Sequence, residues 1–450
     1  MFPNIAFFVC IAFILIIILN DVNKKSKVSF VILLPFIWYA IGATRSVALW
    51  MNALGFNVTS DDVLEGNPID RNVYLILMFL GILILVKRRN RLFEILRGNI
   101  WVLLLFIFMG ISIAWSDFGD VAFKRWIKTT GALVMAFIVL SEREPLESIS
   151  TLLRRCFYIH LPLSIIFIKY FRTIGVDYSK DGLEVMWKGV TTHKNVLGQI
   201  VMSSGIYYIW NILRKPEEKR ILLNTLFLLM TFWLMNGPGY SRSNTSIMVF
   251  FIGLLLLVLL NFAKSNIEYI RKYMVLGVFL LGFIYLISQL VIGVFSQGSL
   301  LSISVEATGR DLTLTGRTDL WNDILVIASK HPMLGVGYGS FWIGDLANNL
   351  WQNHPWKPEQ GHNGYIDIYV ELGVVGLILL GGVIIAAFKG ALRTLEVNFE
   401  YGRLRLVYLT MIVFHNITES SFGRGHHNLW LLFLFVVLNI PEKIGGSYAR

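Results

Sequence analysis

Charge is what this chain has least of. Asp, Glu, Lys and Arg make up 15% of its 450 residues, while 55% are hydrophobic; soluble domains carry about a quarter charged residues. That scarcity excludes an ordinary soluble enzyme. Cysteine is nearly missing too. Cys10 and Cys156 fall in or beside apolar runs, so neither a structural disulfide nor a thiolate metal cluster is expected. No basic residue precedes the first apolar run, and Lys24, Lys25 and Lys27 follow it. A cleavable signal peptide is therefore not expected, and an outside amino terminus is. The chain shows no internal repeat, low-complexity tract or soluble domain. Nor does it show an HExxH helix, a metal-spaced carboxylate set, a GxSxG elbow or a Walker loop.

Repeated apolar runs of roughly 15 to 22 residues read as an all-α polytopic membrane protein, one membrane domain over residues 1–450. Twelve or thirteen transmembrane helices are expected. They lie near residues 3–19, 28–43, 73–86, 100–115, 126–140, 156–170, 195–213, 221–235, 245–262, 273–293, 364–388, 404–417 and 428–440. The basic clusters at 87–91, 154–155, 214–215, 219–220, 271–272 and 403–405 then share one side, as the positive-inside rule requires. The net charge of +11 is thus mainly topology, with contact to anionic membrane lipids at the inner leaflet. Nucleic-acid binding is not expected.

Three loops face outside, near 44–72, 171–194 and 294–362, the last much the longest. Long loops without function are uncommon. Within the third, Arg317 to Lys330 reads as an amphipathic helix with Leu320, Trp321, Ile324, Leu325 and Ala328 as its apolar face. Thr315 or Thr318 can cap it and Pro332 stops it. The helix is expected on the membrane surface or closed over the bundle. Gly335-Val336-Gly337-Tyr338-Gly339 follows. Without a preceding strand it reads as a tight turn with close backbone approach, not a dinucleotide loop.

His362 puts an imidazole where the long loop re-enters a membrane helix, a place where it can carry a proton at little burial cost. Asn363, Asp367 and Glu371 follow at steps of four, so a polar line facing a wet interior is expected. Arg317 heads the loop helix, where free N–H groups and a guanidinium fork suit a phosphate; the alternative is a solvated loop arginine. Arg242 lies in the turn Gly237 to Asn244, on the side the positive-inside rule disfavours. It either contacts substrate phosphates or snorkels to lipid. His193, Lys194 and Asn195 begin a span, as substrate ligands or as an interfacial anchor. Glu419 stands at the outer end of another and is, with Asn363, Asp367 and Glu371, a candidate substrate ligand; His426-His427 follow, and adjacent histidines point apart, so no metal pair is expected there.

These parts suit glycosyl transfer from a polyprenyl diphosphate sugar. The donor brings its own leaving group, a neutral histidine can deprotonate an acceptor hydroxyl, and arginines can stabilise the departing diphosphate. Attack opposite that leaving group would invert the anomeric centre.

The residues Thr315-Gly316-Arg317-Thr318-Asp319-Leu320-Trp321, His331 to Gly339, and His362-Asn363 with Gly373 and Gly376 resemble the O-antigen ligase and polysaccharide polymerase superfamily of bacterial inner membranes. His193-Lys194-Asn195 and Ser241-Arg242-Ser243 add to the likeness, and Asn416-Ile417-Thr418-Glu419-Ser420 is similar to its ExoQ-type exopolysaccharide polymerase branch in particular. The resemblance implies a glycosyltransferase C-like fold, an inverting reaction needing neither metal nor cofactor, Arg242 and Arg317 on the diphosphate, and His362 as base. It also implies an undecaprenyl-diphosphate-linked glycan donor, a glycan or lipid A-core acceptor, and an active face in the periplasm. A chain-length regulator is a further partner class. Polymerase is favoured over O-antigen ligase by the Asn-Ile-Thr-Glu-Ser stretch. A flippase would instead call for repeats and broken helices. The ligases are described with twelve spans, so a thirteenth is a departure at the amino-terminal end.

Overall fold

A computed structural model describes residues 2–23, 28–58, 66–178, 185–214, 218–238, 241–262, 264, 277, 317–425 and 427–440. Its helices are α1 (Phe2–Asn23), α2 (Leu33–Ala43), α3 (Val47–Ala53), α4 (Pro68–Lys87), α5 (Arg89–Arg97), α6 (Ile100–Ile111), α7 (Gly119–Leu140), α8 (Pro145–Tyr170) and α9 (Arg172–Gly175). Then come α10 (Lys194–Arg214), α11 (Glu218–Met235), α12 (Asn244–Phe262), α13 (Arg317–Ala328), α14 (Gly344–Asn353), α15 (Gly364–Val397), α16 (Phe399–Thr418) and α17 (Asn428–Val437). The chain is an all-α polytopic membrane protein. Each expected span coincides with a helix except 273–293, which apart from residue 277 lies outside the described residues, as do Arg310 (a second loop arginine that, like Arg317, follows a glycine), Thr315, His426 and the start of the loop 294–362.

Among the described residues, six helices are long and apolar enough to cross a membrane, or up to eight if each bent pair counts as one span. The others expected as spans fall short for physical reasons. α7 carries Lys124, Arg125 and Lys128, α16 carries Arg403 and Arg405, and α11 and α17 are short apolar helices. Every residue of α17 is buried, as fits an all-round apolar helix at the centre of a bundle. α1 is equally apolar but exposes Phe8, Val9, Ile16 and Leu19, which suits a helix against lipid. Helix pairs approach closely where one side is glycine: Gly205 meets Phe250, and Gly253 meets Met411.

The two ends of the bundle differ in their polar contacts. At one, Arg154 and Arg155 both hold Asp21, at 2.8 and 2.9 Å, and Arg88 holds Glu142 at 2.7 Å. Arg405 donates to the Val436 and Val437 carbonyls at the end of α17, at 2.6 and 3.1 Å, satisfying acceptors the helix leaves open. At the other end the first turns of α10 and α12 meet the last turn of α16: Asn195 bonds Glu419, and Thr245 bonds Thr418. A two-stranded antiparallel ribbon, β1 (Val176–Tyr178) and β2 (Val185–Trp187), lies in the expected outside loop 171–194 and was not anticipated from its sequence.

The span expected at 364–388 is not a continuous helix. α15 breaks at Gly373, with φ +65° and ψ −163°. The loop after α13 fills the break. Val336 and Gly337 donate to the Val370 and Glu371 carbonyls, and Val374 and Val375 donate to Pro332 and Met333. Backbone groups freed by the break are thus paired again, as a low-dielectric setting demands. A Cβ on Gly373 would lie 2.2 Å from the Met333 carbonyl oxygen, so only glycine permits this approach.

α13 closes over the bundle. Leu320, Ile324 and Ala328 are buried beside Phe341, Trp342 and Val370. Leu325, expected on this face, is 43% exposed; the buried seam follows steps of four and leaves it on the flank. Trp321 sits half-buried, its indole donating to the Gly361 carbonyl at 2.6 Å. Thr318 lies inside the first turn, not at the cap.

Candidate active site

Glu419 is the meeting point. α16 ends at Thr418, and the extended backbone of Glu419 turns its side chain inward, where it is 4% exposed. Gly364, the first residue of α15, donates to the Glu419 carbonyl at 3.1 Å. A Cβ at Gly364 would meet the Asn416 amide oxygen at 2.2 Å, so glycine allows α15 to start against the end of α16. Asn363 caps α15 by accepting from the Tyr365 and Ile366 N–H groups.

Three side chains converge on the Glu419 carboxylate. Asn195 Nδ2 and Arg317 Nη2 donate to Oε1 at 2.7 and 3.0 Å, and His362 Nδ1 stands 3.3 Å from Oε2. Arg317 Nη1 also donates to the Thr418 carbonyl. His362 is held with φ +48°, a left-handed conformation that is costly for a non-glycine residue and recurs at functional sites. Trp356 flanks its ring at 5.8 Å, and Gln360 reaches Nδ1 at 3.4 Å. Among the described residues, its ring hydrogen bonds all run through Nδ1. Burial alone would push the Glu419 carboxyl up, but the hydrogen bond with His362 and the Arg317 guanidinium outweigh it and hold the carboxyl at about 2.

Arg242 belongs to an adjoining groove. Ser241 Oγ donates to the Val185 carbonyl at 2.8 Å and accepts from the Trp187 N–H at 2.9 Å, so β2 pins the turn. Arg242 Nε donates to the Gly237 carbonyl, and its Nη2 to the Asn236 side-chain oxygen. Arg242 and Lys194 line a small open groove together with Leu197, Leu234, Ser243 and Ser246. Lys194 and Asn195 are adjacent in sequence, so the first turn of α10 faces both the groove and the carboxylate. His193 Nδ1 accepts from the Asn195 N–H; it braces that turn while its own side chain is exposed.

The expected polar line along α15 divides into three roles. Asn363 is a cap. Asp367 is buried and saturated: Oδ1 accepts from the Gly361 N–H at 2.9 Å and the Trp342 indole at 3.2 Å, while Oδ2 accepts from Arg424 at 3.3 Å and from Ser420. Glu371 sits two residues before the helix break and accepts from the Gly339 backbone. Arg424 and Arg125 were missed. Arg125 donates to the Gly339 carbonyl at 2.5 Å, and both guanidinium groups act on Glu371. Arg424 has a sequence signal, since it stands between Gly423 and Gly425; Arg125, within an apolar helix, has only its charge.

The O-antigen ligase family model matches residues 226–381. Over 309 residues the chain is 28% identical to the exopolysaccharide production protein ExoQ of Rhizobium meliloti (strain 1021). The match covers 66% of each protein, just under two thirds of that relative's length. Over the segments they cover, these matches make the chain similar to the O-antigen ligase and ExoQ-type family. Within the O-antigen ligase match lie Arg242, Arg317 and His362. Asn195 and Glu419, which complete the cluster, lie on either side of it.

Proposed function

We propose that this protein is a glycosyltransferase of the bacterial inner membrane that polymerises undecaprenyl-diphosphate-linked oligosaccharide repeats into surface polysaccharide. The observation that carries the reading is the convergence of His362 and Arg317 at one carboxylate beside the groove of Arg242 and Lys194. In this reading the active face is periplasmic, the fold is glycosyltransferase C-like, and the loop 294–362 belongs to the single membrane domain.

His362 Nε2 takes the proton of an acceptor hydroxyl. The hydroxyl oxygen attacks the anomeric carbon from the face opposite the phosphate, and the anomeric C–O bond breaks with inversion. The electron pair leaves on the diphosphate, whose growing charge Arg242 and Arg317 hold, with Lys194 beside them. The apolar walls of the groove, Leu197 and Leu234 among them, suit the first isoprene units of the donor.

The family model's own description favours a second reading, an O-antigen ligase that transfers glycan to a lipid A-core. Purified protein in proteoliposomes, given defined lipid-linked repeats, separates the two. Longer glycans without added core are expected. Transfer that appears only once lipid A-core is supplied would make it a ligase. Movement of intact donor across the bilayer without new glycosidic bonds would make it a transporter.

A further inference from the structure

Glu419 has no step of its own in that reaction, yet it touches more of the site than any other described side chain. Both carboxylate oxygens are engaged, Oε2 by His362 and Oε1 by Asn195 and Arg317. A side chain 4% exposed cannot grip a sugar without giving up these partners. Its expected place as a substrate ligand therefore does not fit. Two physical consequences favour another role. A carboxylate at Nδ1 keeps the proton there and directs the lone pair of Nε2 outward. In addition, one N–H of Arg317 cannot serve a carboxylate and a phosphate at full strength, so the two anions compete for it.

We infer that Glu419 is a positioning residue that orients His362 for proton abstraction and holds Arg317 until the donor diphosphate draws the guanidinium away. The inference rests on the base and diphosphate roles proposed above. Once Arg317 turns to the phosphate, the charge of Glu419 acts chiefly on His362, just as that ring becomes an imidazolium. The acceptor proton ends on Nε2, the bonding pair ends on the diphosphate, and Glu419 stays ionised throughout. Asn195 keeps the carboxylate in place during the exchange.

Glu419→Gln tests this, because it keeps the shape and removes the charge. Turnover of lipid-linked repeats and equilibrium binding of undecaprenyl diphosphate in nanodiscs are measured separately. Turnover is expected to fall by about 100-fold or more. Undecaprenyl diphosphate is expected to bind about tenfold tighter, since Arg317 no longer has to leave a carboxylate. A substrate ligand or a purely structural residue would weaken both, so unchanged or weaker binding overturns the inference. Glu419→Asp keeps the charge one methylene back and should recover part of the turnover at wild-type affinity. If the glutamine variant does not insert, the aspartate variant decides: slower turnover at unchanged affinity supports the role, and weaker affinity overturns it. His362→Ala separates the two layers. Normal turnover in that variant defeats the base assignment itself; a dead His362→Ala beside an active Glu419→Gln defeats only the role given to Glu419.

Discussion

Two buried carboxylates stand close together at the same end of the bundle, and they have been put to different use. Asp367 takes its hydrogen bonds from the Gly361 backbone, the Trp342 indole, Ser420 and Arg424. Each of those donors belongs to a loop or cap that must be held against α15. Glu419 takes its bonds from His362, Arg317 and Asn195, side chains that suit chemistry. Burying either anion is unfavourable unless it is paired. Asp367 binds the architecture together, while Glu419 collects reactive groups at one point. A buried charge is therefore not by itself a mark of catalysis; the identity of its partners separates the cases.

The largest expected effect lies on the Glu419 side. His362→Ala should lower glycan transfer by about 10² to 10⁴-fold, with normal membrane insertion and thermal stability. Near-normal polymer output would remove that side of the comparison. Asp367→Ala should do the reverse. It removes the carboxylate that Arg424 bonds at 3.3 Å, and because Arg424 keeps some access to water and still faces Glu371 the cost sits at the low end for such pairs, about 3 kcal/mol. The donor KM of the surviving folded protein should stay within about twofold of wild type, since Asp367 contacts no group assigned to the reaction. A thermal melt beside a kinetic assay reads both, and a KM effect without destabilisation would place Asp367 with the reactive groups.

The smallest effect is in pH dependence. The Glu419 carboxyl is held at about 2, below its ordinary 4.5. A depressed acid contributes stability that is fully present above the unfolded value and is lost as pH falls through the folded one. Stability should thus decline between about pH 4.5 and pH 2, by on the order of 1–3 kcal/mol from this group. Glu419→Gln should flatten that decline in denaturation measured across the window. An unaltered slope would mean that Glu419 is not the ionised hub described here.

Much of this was legible in the residues. Apolar run length located the helices, because crossing a membrane sets a minimum length of continuous hydrophobicity. His362, Asn195 and Glu419 each drew attention separately, as polar groups at the outer ends of spans, and Arg317 did so at the head of the loop helix. Their common partner was not legible. Glu419 is 57 positions from His362, 102 from Arg317 and 224 from Asn195, and no local rule joins residues so far apart. The polar line along α15 shows the opposite failure. Spacing by fours is a valid rule for an unbroken helix, but Asn363 caps this one and Gly373 breaks it. The glycines of the loop 331–339 did signal close backbone approach, although their docking surface, the broken turn of α15, lay in another segment.

The residues by themselves determined the class of the molecule and drew attention to the polar groups that make up the candidate site. Hydrophobicity and charge act locally, and the membrane sorts them one segment at a time. Tertiary structure alone decided that Glu419 receives a histidine, an arginine and an asparagine, whereas Asp367 receives structural donors. Which ion meets which depends on distances of about 3 Å between remote segments, and those exist only after the helices have packed.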